Sequence, residues 1–138
     1  MRPAALITGG GSGIGAAVAR VLASEGWLVG LIGRRAEPLT QVAAETGGVA
    51  LPGDAADADH LATAVAQLTQ AGGTLLGLVC CAGSGKSGTA LSQTLEGWDG
   101  VLRTNLTAPF LAAQACLPEL ITNSGSIVIV SSLAGLRA

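Results

Sequence analysis

The residues best suited to chemistry stand in one cluster, Thr8-Gly9-Gly10-Gly11-Ser12-Gly13-Ile14-Gly15. They follow an apolar run at residues 4–7 and lead into a segment of helical periodicity. A strand that turns through glycines into a helix aims the helix's free N–H groups, and the positive end of its dipole, at the turn. That is a site for a phosphate or pyrophosphate. Side chains in the turn would hold the phosphates off, so glycine is the physical choice. Gly9, Gly11, Ser12, Gly13, Ile14 and Gly15 are therefore the expected contacts of a dinucleotide. The strict spelling Gly-x-Gly-x-x-Gly fails at its last place, where Ala16 follows Gly11 and Gly13. The spelling Thr-Gly-x-x-x-Gly-x-Gly fits throughout.

A second chemical pair lies about twenty residues on, where an acidic side chain would accept the ribose hydroxyls of NAD. Gly33-Arg34-Arg35 stands there instead, with no acid before Glu37. A guanidinium clamps a 2′-phosphate bidentately, so Arg34 and Arg35 favour NADP(H) over NAD(H). The competing readings are two solvated arginines opening a helix, and a Glu37 that still reaches a ribose.

Other reactive groups are sparse. Gly83-Ser84-Gly85-Lys86-Ser87 resembles the end of a nucleotide-binding P-loop, but the glycine required five residues before Gly85 is Cys80. His60 is the single histidine, which removes His-rich metal sites and a Ser–His–Asp triad, and no metal site is expected. Beside acids at a helix start, it reads as a solvated surface residue. Cys80, Cys81 and Cys116 are odd in number and lack metal-ligand spacing, so reduced thiols in a cytoplasmic protein are expected.

The elements that must position these groups follow from periodicity. Residues 4–7, 28–32, 49–51, 75–80 and 127–130 are short apolar runs that read as strands. The first helix carries Ile14, Ala17, Val18, Val21 and Leu22 at helical spacing and is capped by Gly26. A second has Pro38 in its first turn, passes through Leu39, Val42 and Ala43, and ends at Gly47-Gly48. A third, capped by Asp57 or Asp59, buries Leu61, Ala64, Val65 and Leu68. A long helical region opens at Thr94, with Trp98, Val101, Leu102, Leu106, Phe110 and Leu111 expected inward. Strands alternating with helices predict a Rossmann-type, doubly wound parallel α/β sheet of about five strands.

Composition agrees. The 138 residues suffice for one domain, and with 49% hydrophobic and 2% aromatic residues the core must be aliphatic. The net charge of −2, with no basic run, argues against nucleic acid as a partner. No run approaches the roughly 18 apolar residues of a membrane span, so no membrane partner is expected.

With the glycine turn and later motifs, the chain resembles the short-chain dehydrogenase/reductase family. The resemblance implies an NAD(P)-dependent oxidoreductase that transfers hydride between nicotinamide and a small carbonyl or alcohol substrate. It implies that Asp54 bonds the adenine amino group, with the backbone of Ala55 nearby. Cys81-Ala82-Gly83 stands where the family has Asn-Ala-Gly; Ala82 and Gly83 keep the small profile beside a cofactor ribose, while Cys81 replaces a structural asparagine. Asn105-Leu106-Thr107-Ala108-Pro109-Phe110 matches a family sequence whose asparagine kinks its helix and anchors a water of the proton relay. In Ser131-Ser132, the second serine is the one that bonds the substrate oxygen. The implied catalytic residues are thus Asn105 and Ser132.

The family's proton-transfer pair, Tyr-x-x-x-Lys, is absent: the chain has no tyrosine, and Lys86 is its only lysine. Residues 1–138 are expected to form one cofactor-binding domain, incomplete at its C-terminal side relative to the family. Family enzymes are often dimers or tetramers built through the region 95–120. The alternative is a non-catalytic dinucleotide-binding module, or a subunit completed by another chain.

Overall fold

The structure, a computed structural model, describes residues 1–85 and 88–136. The Gly85-Lys86-Ser87 triplet, which resembles only the end of a P-loop, therefore falls largely outside the described residues. Five strands, β1 (Arg2–Thr8), β2 (Leu28–Gly33), β3 (Val49–Pro52), β4 (Gly73–Cys80) and β5 (Ser126–Ile129), alternate with α1 (Gly13–Ser24), α2 (Ala36–Thr46), α3 (Ala58–Gln70), α4 (Leu95–Leu102) and α5 (Ala108–Asn123). A π turn at Arg103–Thr107 joins α4 to α5. All pairings are parallel, in the order β3-β2-β1-β4-β5, which is the expected doubly wound sheet.

The period of two along the strands sorts the core into two layers. Leu6, Leu28 and Ile32 face α3 and α5, packing with Leu61, Leu68, Ala112, Cys116 and Leu120. Ile7, Val29 and Leu31 face α1 and α2, packing with Ala16, Ala19, Leu39 and Val42. The helix ends are set locally: Asp57 caps α3 by accepting the Asp59 and His60 N–H groups, and Gly26, Gly47 and Gly72 take positive φ just past α1, α2 and α3.

Three expectations are corrected. Helix α1 turns only part of its apolar set inward: it buries Gly15, Ala16 and Ala19 and packs Val18 and Leu22 against the same core, while Ile14 and Val21 lie exposed. Close approach to β1 and β2 leaves the fully buried positions to the smallest residues. The Trp98 face is likewise outward. Trp98 is 55% exposed and Leu106 and Phe110 are also exposed, since α4 buries only Gly97 and α5 turns Ala108, Pro109 and Ala112 inward; of the residues expected inward, Leu111 does pack against the core. His60 is not a solvated residue: its ring lies over Gly53, and its Nε2 is buried with no partner among the described residues.

Strand β5 pairs only with β4 among the described strands, and Val128, Ile129 and Val130 are largely exposed. Among the described strands it is an edge, as its apolar run without a further parallel strand implies, the kind of surface that recruits another strand. No described helix is long and apolar enough to cross a membrane.

Candidate functional site

The strand order reverses between β1 and β4. Open α/β sheets hold ligands at such a switch point, beyond the carboxyl ends of the strands. A cavity of about 700 Å³ lies there. Every residue expected to contact a dinucleotide lines it: Gly9, Gly11, Ser12, Gly13, Ile14 and Gly15 after β1, Arg34 and Arg35 after β2, Asp54 and Ala55 after β3, and Ala82 and Gly83 after β4. Four separate loops thus converge on one space. Asn105 and Ser132 do not line it.

The glycine turn is built by close approach. Gly9 has φ +69°, and a Cβ there would sit 2.8 Å from the Ala82 nitrogen, so a side chain would part β1 from the loop after β4. A Cβ on Gly15 would collide with the Gly9 carbonyl oxygen, which lets α1 start directly against the turn. The first backbone bond of this helix runs from the Ala16 N–H to the Ser12 carbonyl, 3.1 Å. The amides of Gly13, Ile14 and Gly15 precede that ladder and are free for an anion. Ser12 makes no side-chain cap, and the first turn has no acid to compete for those donors. The chain therefore fits a pyrophosphate here.

Arg34 and Arg35 are exposed at the end of β2, and among the described residues neither is in an ion pair. Glu37 stands in the first turn of α2 and does not line the cavity. Beyond β3, Asp54 Oδ1 accepts the Ala56 N–H at 2.9 Å and Oδ2 accepts from the Arg103 guanidinium at 3.0 Å. The same guanidinium nitrogen donates to the Ala56 carbonyl, also at 3.0 Å. The Ala56 amide, then Arg103 and Arg34, hold the Asp54 carboxyl below its ordinary pKa.

A carboxylate with a depressed folded pKa contributes stability above its unfolded value, near 3.9, and loses it as pH falls through the folded value. Asp54→Asn is accordingly expected to flatten the decline of Tm below about pH 4. The difference is modest because the pair is half-exposed. Melting curves at several pH values check it; parallel curves for both proteins would contradict the pairing.

Sequence reasoning missed Arg103, which lines the cavity with its neighbour Thr104. Its partner Asp54 lies 49 residues away, and no local pattern marks such a pair. Thr8 was also undervalued. Its carbonyl accepts the Cys81 N–H at 3.1 Å and its hydroxyl accepts the Ala82 N–H at 3.3 Å. These bonds join β1 to the loop after β4 beside the position where Cys81 replaces the family's asparagine. Cys81 itself lines the cavity, and burial raises its thiol pKa, away from the thiolate that a nucleophile needs. Burial likewise pushes Cys80 up to about 11 and Cys116 up to about 12.

Asn105 sits in the π turn. Pro109 has no N–H, so the ordinary helical partner of the Asn105 carbonyl is missing, and the turn widens: the Ala108 N–H reaches the Arg103 carbonyl instead. The Asn105 side chain clamps the backbone of Ser84, with Oδ1 accepting its N–H at 2.9 Å and Nδ2 donating to its carbonyl at 2.6 Å. Asn105→Ala removes both bonds and is expected to speed hydrogen exchange at the Ser84 amide about fivefold to tenfold, the equivalent of about one net hydrogen bond. An unchanged rate would mean that other contacts hold this loop.

Ser132 follows β5 and caps a short turn, Leu133–Gly135, its hydroxyl accepting the Ala134 N–H at 3.2 Å. Pairing of Ile129 with Cys80 puts Ser132 and Gly83 at the same carboxyl end of the sheet.

Comparison with known proteins agrees with this architecture. A model of the short chain dehydrogenase family matches residues 3–138. The chain is 40% identical to a 2,5-dichloro-2,5-cyclohexadiene-1,4-diol dehydrogenase of Sphingobium indicum, covering 96% of this chain and 55% of that protein. It is 38% identical to 2-(S)-hydroxypropyl-CoM dehydrogenase 3 of Xanthobacter autotrophicus, over 94% of this chain and 53% of that one. The crystal structure of a 3-ketoacyl-ACP reductase from Sinorhizobium meliloti superposes with a TM-score of 0.92 at 38% identity, covering 99% of this chain and 56% of the other. The chain spans about half the length of the curated relatives it matches. With the family model matched over residues 3–138, nearly its whole length, this chain belongs to the short-chain dehydrogenase family.

Proposed function

We propose that residues 1–138 are the cofactor-binding domain of an NADP(H)-dependent oxidoreductase acting on a small carbonyl or alcohol substrate. The observation that carries this reading is the convergence of four loops on one cleft, lined both by the start of α1 with its free amides and by Arg34 and Arg35. The amides after Ser12 hold the pyrophosphate. Arg34 and Arg35 take the 2′-phosphate, Asp54 and Ala55 meet the adenine, and Ala82 and Gly83 let a ribose lie against backbone. The nicotinamide, when bound, supplies or accepts the hydride.

Asn105 and Ser132 serve the reacting end. Ser132 donates a hydrogen bond to the substrate oxygen, and Asn105 orders the backbone beside it. The protein works in the cytoplasm as a dimer or tetramer, through the exposed face that holds Trp98, Leu106 and Phe110. In family enzymes a Tyr-x-x-x-Lys segment supplies the proton; here it comes from a continuation of this chain or from another chain.

A protein that carries this domain together with such a segment should oxidise NADPH in the presence of ketones or aldehydes. Ser132→Ala is expected to lower turnover at least about a hundredfold, as loss of a transition-state hydrogen bond does, with NADPH affinity kept. Unchanged turnover would remove Ser132 from the active site.

A further inference from the structure

We propose that Arg103 is a specificity-determining residue for the cofactor, acting by masking the Asp54 carboxylate. This rests on the NADP(H) reading above. The charged side chains that line the cleft, among the described residues, are Arg34, Arg35, Arg103 and Asp54. A free carboxylate on this wall would repel a ribose phosphate. Arg103 answers it at 3.0 Å, and the pair is only half-exposed, so solvent screens it incompletely.

Arg103 is aimed by its own fold. The π turn carries its backbone, and a second bond from the same nitrogen to the Ala56 carbonyl pins the guanidinium. It is therefore oriented before any ligand arrives. Arg34 is near enough for its charge to act on Asp54 as well. With Arg103 in place, three positive groups stand against one negative group; without it, Arg34 and Arg35 must attract the phosphate while Asp54 competes for them. A cofactor without the 2′-phosphate feels little of this difference. Arg103 thus changes the preference between cofactors more than the affinity for either nucleotide frame.

The test is titration of NADPH and of NADH into the wild-type chain and its variants, read as the ratio of the NADPH Kd to the NADH Kd. Arg103→Gln is expected to raise that ratio about fivefold to tenfold at low salt, the size of one charge acting across a partly solvated site. Arg103→Lys, which keeps the charge, leaves the ratio within about twofold. Asp54→Asn combined with Arg103→Gln restores the wild-type ratio, because the carboxylate to be masked is gone. Asp54→Asn alone moves the ratio the opposite way, which decides the matter if Arg103→Gln does not fold.

An unchanged ratio in Arg103→Gln overturns the inference. So does an equal loss of both cofactors, the mark of a purely structural tie between Ala56 and the π turn. A wild-type ratio that favours NADH overturns the NADP(H) reading, while the effect of Arg103 is still read from the change in ratio. Binding of neither cofactor to the folded wild-type chain overturns both.

Discussion

Gly15→Ala is expected to weaken NADPH binding by roughly a hundredfold, the equivalent of about 3 kcal/mol at the upper end of overpacking costs. The added methyl would meet the Gly9 carbonyl, and it would also stand 2.7 Å from the Gly9 carbonyl carbon and 3.2 Å from the Gly10 Cα. All three are backbone, so no flexible side chain can swing away. Relief requires α1 to slide off the turn, which moves the amides of Gly13, Ile14 and Gly15 out of line with a pyrophosphate. Both cofactors suffer alike, because both carry that group. The Tm falls as well, since Ala16 and Ala19 on the same helix are buried against the sheet. Titration and a thermal melt of the two proteins check this; wild-type affinity in Gly15→Ala would show that the helix start does not hold the ligand.

Replacing Arg34 and Arg35 together by serine has an effect of similar size that falls on NADPH and largely spares NADH. Each charge-assisted hydrogen bond to a phosphate contributes about 1.5–3 kcal/mol, reduced where solvent reaches it. Loss of two such contacts is expected to weaken NADPH binding about a hundredfold. NADH should change by less than about threefold, because its free ribose hydroxyl offers the guanidinium groups no charge to pair with. The wild-type NADPH affinity should also fall steeply with salt, and that slope should shrink in the double variant. Equal weakening of both cofactors would mean that the arginines shape the loop after β2 and do not read the phosphate.

Much of this site was legible because its parts are local. The glycine turn, Arg34-Arg35 and Ala82-Gly83 each follow a short apolar strand, and parallel pairing brings the ends of β1, β2 and β4 to one edge without further information. The Asp57 cap and the positive-φ glycines were readable for the same reason: each answers a need of the nearest few residues.

The unread parts depend on contacts far along the chain. Arg103 looks like any helical arginine until β3 and the π turn meet. His60 gives no sign that Gly53, seven positions earlier, leaves room for its ring. Trp98 and Phe110 show an apolar face, but periodicity does not tell whether that face turns to the core or to a second surface. In α1 the shortest side chains are buried because the turn brings the helix hard against the sheet, which hydropathy alone does not encode.

The most direct measurement is a paired titration of NADPH and NADH into the 138-residue chain at low salt, with circular dichroism to establish that it is folded. The expected result is saturable binding of one cofactor per cleft, with NADPH tighter by at least about tenfold, the contribution of one phosphate contact. A folded chain that binds neither, or that binds NADH more tightly, would contradict the assignment of this cleft to NADP(H).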